Sequence, residues 1–348
     1  MGWTEIMMAA LFGDGGGALG YFRLSRNNSS AASSGDPSIS CHLLRSVLPD
    51  NRSVDVAVDD VPEMTLRELK KATRSFSEKK LIGEGRYAKK ASDVAFLMRQ
   101  VSAAASLRHE NVVQLLGYCF TANLRVLLYE FAPLGTLHDA LHGPRPAGAG
   151  RVSPVTRTTL SWAQRVQIAL DAVKGLACLH EAGVTYRDVR STNVLLFQGF
   201  RAKIGDYDLF KQLPEEDVEI GYVIHATRAA HGLCVMGLVT QKSDVYSFGI
   251  VLVELLTGIK PNDPAFDYAL SRGTVPSIDP KLGGEYPEDA ATKVGLHACP
   301  STNLAGCSSA SACLKLVMIA LWCLKHKSAS RPSMATVVTE IQEGVQRQ

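Results

Sequence analysis

Residues 186–193 read Tyr186-Arg187-Asp188-Val189-Arg190-Ser191-Thr192-Asn193, and the chain reaches Asp206-Tyr207-Asp208 after the apolar residues Val194, Leu195, Leu196, Ala202 and Ile204. An acid followed five residues later by an amide, then two short apolar stretches and a further acid, reads as a loop, two strands and a second loop. Lone Asp and Asn residues in loops commonly do no more than close turns. Here three of them stand in register with a fourth landmark, Lys242-Ser243-Asp244-Val245-Tyr246-Ser247-Phe248-Gly249, which opens an apolar helix. Turn chemistry alone does not call for that constellation.

Working outward, Ser161 and Gln164 form a capping box ahead of Trp162, Val166, Ala169, Leu170, Val173, Leu176 and Leu179, whose spacing predicts a long, largely buried helix. Thr65 and Glu68 form another, and Leu66, Leu69 and Thr73 share one face of the short helix it starts. Leu81 to Tyr87 reads as a strand entering a glycine turn, Ala91 to Leu107 as a helix with Phe96, Leu97, Val101 and Ala104 inward, and Val112 to Tyr118 and Leu124 to Phe131 as strands. The expected fold is therefore α+β and two-lobed, with a small antiparallel sheet ahead of a helical lobe. Residues 24–62 are rich in Ser, Asn, Gly and Asp and offer too little apolar surface to offset ordering, so residues 1–62 are expected to form a disordered arm. Residues 63–132 then make the first helix and the small lobe, and 133–348 the large lobe, with loop insertions near 143–159 and 297–313. Ser153-Pro154 in the first insertion reads as part of a solvated loop.

Composition narrows the function classes. With 348 residues, 46% apolar and 20% charged, and a formal net charge of +3, the chain resembles an ordinary globular protein and offers no polybasic surface for nucleic acid. Its eight cysteines follow neither disulfide nor zinc spacing, and the grouping of His297 with Cys299, Cys307 and Cys313 matches no ligand framework; idle or buried thiols in a reducing compartment are expected. Glu5 stands where a leader wants basic residues, and the apolar run that follows it is broken by Asp14 and glycines. Gly2 could accept a myristoyl group, yet Ile6 occupies the place of the Ser or Thr that signal needs. The strongest apolar stretch, Phe248 to Leu256, is too short to span a bilayer and is interrupted by Glu254, so no transmembrane segment is expected.

The register of Asp188, Asn193 and Asp206 resembles that of protein kinases, whose catalytic loop reads His-Arg-Asp with an Asn five residues on and whose metal loop reads Asp-Phe-Gly. The resemblance implies that Asp188 accepts or orients the proton of an attacking hydroxyl and that Arg187 precedes it as a phosphate-responsive arginine. It also implies that Asn193 and Asp206 hold Mg²⁺ against the phosphates of ATP, because Mg²⁺ takes hard oxygen ligands. Asp244 would brace the catalytic-loop backbone. Ile82-Gly83-Glu84-Gly85-Arg86-Tyr87-Ala88 resembles the glycine-rich loop that covers ATP, which makes Ile82, Gly83 and Gly85 expected nucleotide contacts. Leu127-Leu128-Tyr129-Glu130-Phe131-Ala132 resembles the strand entering the hinge, with Tyr129 as gatekeeper and the backbone of Glu130 and Ala132 pairing with adenine. The runs MTLRELKKATRSFSEKKLIGEG, RHENVVQLLGYC, LRVLLYEFAPLGTLHDALHG and DVRSTNVLLF are similar to plant receptor-like cytoplasmic kinases of the Pto-interacting group. Gln100 fits that group as well, since most kinases place there a Glu that pairs with a strand lysine.

The pattern also breaks. After Ala88 a kinase carries two more strands, the second bearing that lysine, but here the helix follows almost at once. Gly85 to Lys90 can cover at most about 17 Å, too little to run out along one strand and back along another, so Lys89 and Lys90 are poor substitutes. RAAHGLCVMG stands where kinases have Ala-Pro-Glu, which leaves Arg331 without its usual carboxylate and predicts that Arg331 is exposed or that this region is disordered. The resemblance implies ATP- and Mg²⁺-dependent phosphorylation of Ser or Thr hydroxyls on a protein substrate in plant signalling, under an upstream receptor or kinase, in the cytoplasm or peripheral at the plasma membrane. Arg190 replaces the Lys usual in serine/threonine kinases, and Thr227 is the nearest candidate for regulatory phosphorylation. The alternative is an impaired pseudokinase that acts as a scaffold.

Overall fold

The structure is a computed structural model that describes residues 5–12, 19–25, 61–76, 81–85, 98, 101–102, 104–105, 107–121, 124–143, 159–205, 240–286 and 312–346. Seven strands are named in chain order: β1 (Glu5–Phe12), β2 (Leu19–Ser25), β3 (Leu81–Gly85), β4 (Leu115–Phe120), β5 (Leu124–Glu130), β6 (Val194–Leu196) and β7 (Ala202–Ile204). The α-helices are α1 (Leu66–Thr73), α2 (Leu137–His142), α3 (Trp162–Glu181), α4 (Gln241–Thr257), α5 (Pro264–Ser271), α6 (Ala312–Cys323) and α7 (Met334–Gln346). They form the expected two lobes, a small antiparallel sheet and a helical body.

The small lobe holds the main departure from the sequence reading. Its sheet has five strands in the order β3-β2-β1-β5-β4, so a hairpin from the far N-terminal end occupies the two places left empty after Gly85. β2 pairs antiparallel with β3, and β1 pairs antiparallel with β5, setting Met7 opposite Tyr129 and Ala9 opposite Leu127. The expectation of a disordered arm over 1–62 fails for Glu5–Phe12 and Leu19–Ser25; residues 26–60 lie outside the described residues. The physical reason is visible in EIMMAALF and LGYFRLS, two apolar runs joined by GDGGGA. An Asp-Gly step between strand-like runs is a hairpin signal.

The two faces of the sheet are told apart by β5. Val126 and Leu128 pack with Leu69 of α1, Cys119 and Leu124, while Leu127 and Tyr129 join the large cluster that continues into the helical lobe. Residues alternate between faces because the strand repeat is two. In β4 a register shift between Leu115 and Gly117 lets Leu115 and Tyr118 serve the same cluster. The capping box at Thr65 and Glu68 forms as expected, with both reciprocal hydrogen bonds present.

In the large lobe α3 carries its own capping box, Ser161 with Gln164, and buries Trp162, Val166, Ala169, Val173, Leu176 and Leu179. α4, α6 and α7 complete the core around it, with Phe248, Ile319 and Val337 fully enclosed. Cys119, Cys178 and Cys323 are free thiols, and burial pushes the Cys323 thiol up to about 12, which keeps it protonated and inert near neutrality. Among the described residues no helix is long and apolar enough to cross a membrane. Met98, Val101, Ser102, Ala104 and Ala105 are helical, in the place expected for the small-lobe helix, whereas Phe96, Leu97 and Gln100 lie outside the described residues.

α3 approaches the β6–β7 ribbon closely enough to specify a glycine. A Cβ on Gly175 would stand 2.3 Å from Asn111 O and 3.0 Å from Ile204 Cγ1. Asn111 cannot retreat freely, because its carbonyl accepts Ile204 N–H at 2.9 Å and its Nδ2 donates to Ala202 O at 3.0 Å. Helix propensity alone would make Gly175→Ala stabilising by up to about 1 kcal/mol. The overlap reverses that sign, and a loss of about 1–3 kcal/mol in chemical denaturation is expected; a midpoint at or above wild type would show that the contact relaxes at no cost. A second measurement tests the hairpin. Removing residues 1–25 should speed amide exchange along β5 and β3 while α3 stays protected, and unchanged exchange in β5 would refute the strand order.

Candidate active site

The site is built around one buried carboxylate. Asp244, in the first turn of α4 and 1% exposed, accepts Tyr186 N–H at 2.7 Å and Arg187 N–H at 2.8 Å, and lies 2.9 Å from His180 Nε2. The two amides belong to the loop that bears Asp188, so the carboxylate fixes the backbone there, including Arg187 at φ 74°, a left-handed value costly for a non-glycine residue.

Asp188 and Asn193 come together as the sequence register implies. Asn193 Nδ2 donates to Asp188 O at 2.9 Å and Asp188 Oδ2 at 3.2 Å, inside a 3-10 turn over Ser191–Asn193. With its NH₂ committed to Asp188, the amide of Asn193 turns its oxygen the other way, where Thr192 Oγ1 is 3.3 Å distant. Asp188 also takes a charge-assisted hydrogen bond from Arg190 Nε at 2.6 Å, and a second Arg190 nitrogen reaches the same oxygen. The β6–β7 ribbon then aims the second loop. Tyr186 donates its hydroxyl hydrogen to Gly205 O, and Gly205 N–H donates to Asn193 O at 3.0 Å, so the residue just before Asp206 is tied to the catalytic loop from both sides. Asp206 itself lies outside the described residues, as do Thr227, Lys89 and Lys90.

At the hinge, Glu130 closes β5. Its carboxylate accepts Gln114 N–H at 2.8 Å and takes both oxygens to Lys203 Nζ at 2.7 Å. Lys203 sits on β7, so this pair ties the hinge to the strand that leads to Asp206. After Ala132 the chain turns and joins β6 through Leu134 N–H to Leu196 O and Leu196 N–H to Gly135 O. Gly83 and Gly85 lie within β3, paired with Tyr21 and Leu19 of β2, and Ile82 is on the same strand.

Of the two alternatives for Arg331, exposure does not hold, and the other falls on residues 228–237, which lie outside the described residues. Arg331 is buried, its nitrogens donate to the carbonyls of Lys325, Lys242 and His326, and its guanidinium lies 4.8 Å from the Tyr246 ring centre. Burial lowers its pKa, while Tyr246 and Cys323 act in the opposite sense. Carbonyls just past the end of α6, where the helix dipole is negative, supply what a carboxylate would have supplied.

Sequence reasoning missed three partners because their contacts are remote along the chain: His180 with Asp244, Lys203 with Glu130, and Glu254 with His142 and Ser191. Only Glu254 carried a local signal, a charge inside an apolar helix.

Comparison with known proteins agrees with this geometry. Residues 77–341 match the family model described as protein tyrosine and serine/threonine kinase. The chain is 39% identical over 327 residues to PTI1-like tyrosine-protein kinase 3 of Arabidopsis thaliana, covering 81% of this chain and 72% of that one. It is 37% identical over 326 residues to PTI1-like tyrosine-protein kinase 2 of the same plant, covering 81% of each. It is 31% identical over 343 residues to serine/threonine-protein kinase PBL13, covering 85% of this chain and 62% of that one. A matched catalytic loop on a two-lobed scaffold, together with these likenesses, places the chain in the protein kinase family, beside the PTI1-like and receptor-like cytoplasmic kinases of plants.

Proposed function

We propose that the chain transfers the terminal phosphoryl group of ATP to Ser or Thr hydroxyls of a protein, with Asp188 as the base that receives or orients the hydroxyl proton. The carrying observation is the closed set of bonds among Asp244, the 186–187 backbone, Asp188 and Asn193, which holds a carboxylate and an amide oxygen in fixed relation. Arg190, bonded to Asp188, orients that carboxylate until a hydroxyl arrives. The donor set fits magnesium: an amide oxygen from Asn193 and a carboxylate from Asp206 are hard ligands. Mg²⁺, when bound, would neutralise phosphate charge. Ala132 N–H, which meets no acceptor among the described residues, and the backbone of Glu130 would take the adenine edge, with Ile82, Gly83 and Gly85 over the nucleotide. The working place is the cytoplasm or the inner face of the plasma membrane, under an upstream receptor or kinase, with phosphorylation of Thr227 as the candidate control through Arg187.

One observation favours a weakened enzyme with a scaffolding role. The strand beside β5, where kinases carry their phosphate-binding lysine, is filled by EIMMAALF, which has no Lys or Arg. The sheet is restored without the cation.

Two measurements follow. In a radiolabelled ATP assay Asp188→Ala should lower phosphate incorporation by about 10²- to 10⁴-fold; equal incorporation would remove Asp188 as the base. Ala9→Lys, opposite Leu127, should raise turnover by about 10²-fold, the typical worth of a preorganised donor to charged oxygens. No gain from that lysine would mean that this row of the sheet does not face the phosphates.

A further inference from the structure

Asp244 secures only the front of the catalytic loop, and α4 carries a second buried acid. Glu254 is 1% exposed and lies ten residues further along the helix, about 15 Å at the helical rise. Ser191 Oγ donates to Glu254 Oε1 at 2.8 Å, and His142 Nε2, at the end of α2, is 2.7 Å from the same oxygen. From Tyr186 to Ser191 the chain can span at most about 17 Å, so anchors of that separation match its two ends. Each acid has a histidine at its back, His180 for Asp244 and His142 for Glu254. Ser191 opens the 3-10 turn that ends at Asn193, and Asn193 binds Asp188.

We propose that Glu254 is a positioning residue for phosphoryl transfer, a second anchor that holds the rear of the catalytic loop through Ser191. It touches neither nucleotide nor hydroxyl. It acts through the turn that sets the direction of Asn193 and, through Asn193, of Asp188. A buried carboxylate that fails to find two donors is costly, so the arrangement locks the loop, α2 and α4 together. The catalytic side of this inference rests on the kinase reading; its structural side does not.

The test compares wild type with Ser191→Ala, Ser191→Thr and Glu254→Gln, by amide exchange resolved to residues 186–196 and by steady-state phosphotransfer. Losing one hydrogen bond to a charged group should speed exchange over 188–193 about tenfold in Ser191→Ala, with α3 and the middle of α4 unchanged. kcat should fall about tenfold with KM for ATP within about twofold, the signature of an interaction that acts on the reacting geometry rather than on binding. Ser191→Thr, which restores a hydroxyl, should recover both. Should Glu254→Gln fold poorly, the serine pair still decides. Unchanged loop exchange in Ser191→Ala, equal loosening across α3 and α4, or failure of Ser191→Thr to recover would overturn the proposal. A wild-type chain without any phosphotransfer would overturn the kinase reading instead, and the exchange data would still decide the anchor.

Discussion

The carboxylate of Asp244 is the constraint on which the rest of the site depends. A charged group that is 1% exposed must find its hydrogen bonds inside the protein, and it finds them on Tyr186 N–H, Arg187 N–H and His180. Each such bond to an ionised acceptor contributes roughly 1.5–3 kcal/mol. That is enough to hold Arg187 in a left-handed conformation costing about 1–3 kcal/mol. The strain has a geometric product. It sharply turns the chain between Tyr186, whose hydroxyl reaches Gly205, and Asp188, which faces Asn193 and Arg190. Removing the acid would leave the amides of Tyr186 and Arg187 without their acceptor, the first of them buried, and release the turn, so stability and site geometry are one property here.

Other buried charges follow the same logic in purely structural places. Asp171 accepts Arg201 Nε at 2.8 Å and Ala202 N–H at 3.0 Å, which pins the start of β7 to α3. Arg165 donates to Leu255 O at 2.7 Å and Asp279 Oδ2 at 2.6 Å, which ties the end of α4 to the segment beyond α5. In each case a charge on α3 satisfies a backbone group near the end of another element, Ala202 N–H at the start of β7 and Leu255 O in the last turn of α4. What separates Asp244 and Glu254 from these is only the loop they hold.

Much of this was legible in the sequence. Asp188, Asn193 and Asp244 were found because their spacing is local and their residue types are dictated by chemistry; the capping boxes at Thr65 and Ser161 were found because a cap is a four-residue event. What was not legible is pairing across long separations. Lys203 meets Glu130 across 73 residues and His142 meets Glu254 across 112, and neither contact leaves a periodic trace. The burial of Arg331 was not legible for a related reason: its partners among the described residues are backbone carbonyls, which every sequence has. The N-terminal hairpin was hidden by the question put to it. Its two apolar runs, EIMMAALF and LGYFRLS, flank an Asp-Gly step, and such a step is a hairpin signal.

The hairpin separates two demands that usually travel together. A sheet needs backbone partners at regular spacing, and any strand of suitable length and apolar content can supply them; β1 does so between β2 and β5. Phosphate binding needs a particular cation at a particular register, and strand propensity does not select for it. Filling the vacant places therefore completes the ladder of the small lobe, pairing β5 on its second edge and giving β3 an inner neighbour, without bringing a cation. The set of Asp244, Asn193 and Asp188 is organised by α4 and the β6–β7 ribbon and owes nothing to the hairpin. Sheet and loop geometry are thus independent: the ladder of the small lobe can be complete in a strand, EIMMAALF, that brings no Lys or Arg to it.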